Sequence, residues 1–130
     1  MKILCFWKSS INTEIIKKMI NDRLDESLQV KTSFSISTIE NNIFNYTPDV
    51  FFVHCHTENR QFDRIRQLTK MVRKKLPKCV IVVTYHPDIN SGYKSYYLVD
   101  YEFDIMLPEF AFEEHDIDYI TRTYRRNMLK

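Results

Sequence analysis

A chain of 130 residues has room for one domain around one core, and residues 1–130 read as a single module. Its hydrophobic content of 44% and aromatic content of 14% exclude a disordered segment, and no apolar run reaches the roughly 20 residues that a membrane span needs. A formal charge of +2 gives no ground for nucleic-acid binding, and the single glycine, Gly92, excludes the glycine-lined loops that cradle nucleotide phosphates.

The chain opens on Lys2-Ile3-Leu4-Cys5-Phe6-Trp7, a short apolar run without a small-residue cleavage site, which reads as a first strand and leaves cytoplasmic residence as the expectation. Ser9, Ser10 and Asn12 offer capping oxygens for a helix whose apolar stripe is Ile11, Ile15, Ile16, Met19, Ile20 and Leu24. Residues 28–37 alternate, with Val30, Thr32, Phe34 and Ile36 on one side, as in a half-exposed edge strand. A short helix carrying Ile39, Ile43 and Phe44 follows and stops before Pro48. Val50-Phe51-Phe52-Val53 has no charge and ends at His54, which is the pattern of a central strand covered on both faces.

Phe62, Ile65, Leu68, Met71, Val72 and Leu76 then predict an amphipathic helix over about 60–76, ended by Pro77. Cys79 to Thr84 is the second near-continuous buried strand. A helix is predicted over 91–100, a fifth strand over 103–107 cut by Pro108, and a last helix over 113–128 presenting Ile117, Ile120, Tyr124 and Met128. The basic cluster Arg122, Arg125, Arg126 and Lys130 reads as the solvated end of that helix. Strands alternating with helices through short loops imply right-handed crossovers. The fold class is therefore α/β: a five-stranded parallel sheet, doubly wound and flavodoxin-like, in the order 2-1-3-4-5. In such sheets the ligand or reaction site lies beyond the C-terminal ends of the strands, here at His54 to Asn59 and Tyr85 to Asp88.

The stretches PDVFFVH, VIVVT and LPEFAFEE, in this order and spacing, resemble the receiver domain of bacterial response regulators. The resemblance covers essentially the whole chain. In that family an acidic pair ends strand 1, a phosphoryl-accepting Asp ends strand 3, a Thr or Ser ends strand 4 and a Lys-Pro step ends strand 5. The corresponding positions here are Trp7-Lys8, His54, Thr84 and Leu107-Pro108. The aromatic switch position falls on Asp104. Receiver phosphorylation needs carboxylates around a divalent cation and a lysine on the phosphoryl group. The resemblance thus implies a pseudo-receiver: a phosphorylation-independent signalling or regulatory domain, with no enzymatic activity and no cofactor, that works through protein contacts. The proline fixes a turn that is cis in some such folds.

Three side-chain groups bear on alternatives. His54, His56 and His86 fall at the ends of adjacent strands and could supply three zinc ligands or a phospho-relay site, against the reading that they line a solvated rim. Lys8 beside neutral polar groups would suit an anion or small-molecule sensor. Cys5, flanked by Phe6 and Trp7, reads as an inward core thiol, and Cys55 beside two histidines is the thiol placed for a lowered pKa. Tyr93, Tyr96, Tyr97 and Tyr101 crowd around the helix predicted over 91–100, more than one helical stripe can bury, and large rings of low side-chain entropy are enriched at binding hot spots. Receivers commonly dimerise or bind partners on the face made by that helix, the fifth strand and the last helix, so a protein partner or homodimer is expected there.

Overall fold

The central strand β3 (Val50–His54) has β1 (Lys2–Phe6) on one side and β4 (Val80–Tyr85) on the other, all parallel. The computed structural model describes residues 1–7, 10–24, 27–54, 59–85, 102–108 and 112–129. Within them, β2 (Gln29–Ser33) pairs with β1 and β5 (Ile105–Pro108) with β4, which completes a five-stranded sheet in the order β2-β1-β3-β4-β5. The expected architecture is the one observed. The helices are α1 (Ser10–Asn21), α2 (Ile36–Tyr46), α3 (Asn59–Lys75) and α4 (Glu114–Met128). No described helix is long and apolar enough to cross a membrane. The helix predicted over 91–100 lies outside the described residues.

Successive strand residues point to opposite faces, and the two faces hold separate cores. Leu4, Phe6, Phe51, Val53, Ile81 and Val83 pack against Ile39 and Ile43 of α2 and Ile65, Leu68 and Val72 of α3. On the other face Ile3, Cys5, Phe52, Val80 and Val82 meet Ile16 and Ile20 of α1 and Ile117, Ile120 and Tyr124 of α4. Most of these side chains are fully buried, and at roughly 1.5–3 kcal/mol for a buried Ile or Phe they outweigh any local propensity in fixing the register.

Four details differ from the sequence expectation. The edge strand β2 ends at Ser33, because the Ser33 hydroxyl accepts from the N–H of Ser35 at 3.2 Å and turns the chain, so Ile36 opens α2. Ile11 is 62% exposed, and Asn12, Ile16 and Ile20 form the buried line of α1 at four-residue steps. Phe44 is 53% exposed, outside the line formed by Ile39, Ile43 and Tyr46. Met128 gives its place on α4 to Asn127, whose amide donates to the carbonyl of Lys78 at 3.0 Å. At the end of α2, Thr47 takes the left-handed conformation (φ 49°) usually left to glycine.

Candidate functional site

At the C-terminal edge of the sheet, the ladder places His54 opposite Thr84 and Thr84 opposite Leu107. His54 shares the parity of Val50 and Phe52, and so faces α1 and α4, as does buried Leu107. Thr84 is fully buried and its Oγ1 lies 3.0 Å from Nδ1 of half-buried His54. This is one hydrogen bond, its direction set by the imidazole tautomer.

Trp7 follows β1 directly and turns inward. Its ring is 3% exposed, lies tilted 5.5 Å from the ring of Phe52, and sends Nε1–H to Oγ1 of Thr13 at 2.9 Å. Thr13 Oγ1 is in turn 3.1 Å from Oγ1 of Thr32 on β2. The indole is therefore part of the core, tied to α1 and β2 through its one donor. The sequence expectation placed Trp7, Lys8, His54, Thr84 and Leu107 in one pocket; of the described residues among them, the fold brings His54, Thr84 and Leu107 into one row across three strands and sinks Trp7 in the packing beneath that edge. Lys8, Cys55, His56, His86, Tyr93, Tyr96, Tyr97 and Tyr101 lie outside the described residues. Among the described residues no three His, Cys, Asp or Glu side chains converge as a metal site.

Cys5 and Cys79 are both buried, and burial pushes both thiols far above the ordinary thiol range, for Cys5 against a smaller opposing hydrogen bond with Thr32. A nucleophilic role at Cys5 would need a thiolate that its surroundings disfavour.

Asp104 is far from any switch role. It stands just before β5, at the opposite edge of the sheet, where Oδ2 accepts from the N–H of Ile81 at 2.8 Å and from the guanidinium of Arg73 at 2.9 Å. Asp49 does the same before β3: its Oδ2 accepts from the N–H of Lys2 at 2.7 Å. The signal that the sequence offers for these contacts is an aspartate directly ahead of each of two strands.

Solved structures share this fold from end to end. An orphan response regulator of H. pylori superposes with a TM-score of 0.69 at 14% identity, covering 96% of this chain and 97% of that one. The signal receiver domain of an HD domain-containing protein from Pseudomonas fluorescens Pf-5 gives 0.73 at 8% identity over 99% and 98% of the two chains. A CheY-like receiver domain from Methanospirillum hungatei gives 0.72 at 10% over 98% and 96%. The fold is that of a response regulator receiver domain. No protein-family model matches the chain, nor does any curated protein.

A receiver's divalent cation is a hard ion that takes oxygen ligands, chiefly carboxylates. The described residues at the corresponding positions do not fit it. Trp7 has no acceptor to offer, His54 presents nitrogen, and Leu107 has no charge for a phosphoryl oxygen. The Leu107–Pro108 bond is trans, since no described peptide bond is cis.

Proposed function

We propose that this chain works as a receiver-like signalling module whose state is not set by aspartyl phosphorylation, and that it acts by binding a protein partner or a second copy of itself. The observation that carries the reading is the row His54, Thr84 and Leu107, with Trp7 packed below it. A receiver pocket gathers carboxylates whose mutual repulsion a cation and a phosphoryl group relieve. Here the described positions hold no carboxylate and are joined by a hydrogen bond and by packing. That edge needs neither cation nor phosphoryl group to relieve repulsion among its described residues.

The partner face rests on the sequence: the aromatic rings Tyr93, Tyr96, Tyr97 and Tyr101 fall where receivers make contacts. Two measurements test the proposal. Intact-mass spectrometry after incubation with acetyl phosphate and Mg²⁺ is expected to find no phosphoryl adduct; an adduct mapped to His54 would turn the domain into a phospho-relay protein. Light scattering on the Tyr96→Ser, Tyr97→Ser double variant is expected to show lost self-association with an unchanged circular dichroism spectrum, and association equal to that of the parent chain removes the tyrosine face.

A further inference from the structure

We infer that the N-terminal edge of the sheet carries a second docking site, separate from the tyrosine face, for an acidic peptide segment bearing apolar side chains. A groove of about 290 Å³ opens there between the turns that lead into β3 and β4 and the end of α4. Pro48, Leu76, Pro77 and Met128 give it an apolar lining, and Lys75 and Lys78 stand on its rim. Met128 is 54% exposed, so the end of α4 gives the groove uncovered apolar surface.

The charge around the groove selects the occupant. Both rim lysines are exposed and neither has an ion pair among the described residues. By contrast Arg73, two residues before Lys75 on α3, is paired with Asp104. The one carboxylate in the lining, Asp49, is held by the N–H of Lys2, and the Lys2 ammonium itself sits 3.0 Å from Oγ1 of Thr47 on the groove wall. Two lining ammonium groups thus face one carboxylate that is already engaged by a backbone N–H. A second copy of this edge would bring lysine against lysine, and like charges across an interface are repelled. The volume is at the lower end for ligand pockets and suits one or two side chains of an extended segment. Acidic groups flanking a Leu or Phe would meet the lysines while the apolar group enters the groove.

The probe is a short fluorescein-labelled peptide alternating Asp with Leu and Phe, titrated by anisotropy against the full chain, with a control peptide carrying Lys for Asp. Saturable binding is expected for the acidic peptide alone. It should weaken about tenfold or more in Lys75→Glu, Lys78→Glu, weaken several-fold in Met128→Ser, and stay unchanged in Tyr96→Ser, Tyr97→Ser. The Gln pair at positions 75 and 78 serves if the charge reversal disturbs folding, and should give an intermediate loss. Absent binding, equal binding of the control peptide, or affinity untouched by the lysine changes overturns the inference. Preferential binding of oligothymidine or of phosphatidylserine vesicles at the same lysines overturns it equally, by giving the surface to another class of partner.

Discussion

At the N-terminal edge of the sheet, Asp49 and Asp104 each give a carboxylate oxygen to a backbone N–H of a neighbouring strand, 2.7 Å to Lys2 and 2.8 Å to Ile81. At the C-terminal edge the described positions hold an indole, an imidazole, a hydroxyl and an isobutyl group. The first edge uses ionised oxygen to satisfy strand ends that would otherwise present bare donors. Among the described residues the second edge carries no carboxylate, and carboxylates gathered there would repel one another unless a cation joined them. The contrast separates two duties that acids have in this fold. One is structural and is observed here; the other is chemical and needs a cluster of acids that the described positions at the second edge do not supply.

The largest test of that contrast is to put an acid back. Trp7→Asp removes the ring from beside Phe52 and leaves a carboxylate at a position that is 3% exposed. A loss of about 3–5 kcal/mol is expected from the missing ring alone, read by urea unfolding, and Trp7→Ala should give the same range. Mg²⁺ in excess should not restore it, because a single acid does not make a cation site. Recovery of stability with Mg²⁺ would mean that the edge can hold a cation after all. Next in size, Asp104→Leu at the other edge strands the N–H of Ile81 and leaves the Arg73 guanidinium only Glu102 at 4.0 Å and the carbonyl of Cys79 at 3.4 Å. About 2–3 kcal/mol should be lost. Little change in the unfolding midpoint would show that the N-terminal edge does not depend on its acids.

How much of this was legible in the sequence depended on whether a residue's role was local. The strands around Val50–His54 and Val80–Tyr85 could be read because unbroken β-branched and aromatic runs have few other uses, and the sheet order followed from their alternation with helices. The helix stripes were readable except where a polar residue took the inward place. Asn12 and Asn127 are buried while their apolar neighbours Ile11 and Met128 face out, an inversion that hydrophobic periodicity alone cannot register. The clamps were hidden for a different reason: 47 residues separate Asp49 from Lys2, and 23 separate Asp104 from Ile81. An aspartate ahead of a strand reads as a turn residue until the partner strand is in place. At the site, the identities of His54, Thr84 and Leu107 could be read, but the inward turn of Trp7 depends on hydroxyls at Thr13 and Thr32 on two other elements.

Of intermediate size is the response to alkali, which compares the buried thiols with the exposed surface. Burial raises Cys5 and Cys79 above their unfolded values, so the folded chain keeps both protons after the unfolded chain has begun to lose its own. Proton loss then favours unfolding. Stability should be flat below the unfolded thiol pKa, roughly 8.5, and fall above it by about 1 kcal/mol per thiol over the next pH unit. Cys79→Ala should lower stability at neutral pH and flatten the alkaline fall by one thiol's share, measured as urea midpoints across the range. An unchanged slope would place the loss elsewhere.

The smallest expected effect isolates the hydrogen bond at the C-terminal edge. Thr84→Val keeps the volume of a fully buried side chain and removes the Oγ1 that lies 3.0 Å from Nδ1 of His54. Because half-buried His54 can turn to water in exchange, the change should cost about 0.5–1 kcal/mol, less than the penalty for a fully stranded polar group. The imidazole is the more informative reporter. With the hydroxyl gone, its side-chain resonances in a two-dimensional nitrogen-proton spectrum should shift and broaden as the ring loses its fixed tautomer, while those of exposed His115 stay in place. If the ring of His54 keeps a single sharp tautomer in the valine variant, packing alone holds this edge, and the hydrogen bond to Thr84 is a consequence of that packing instead of one of its fastenings.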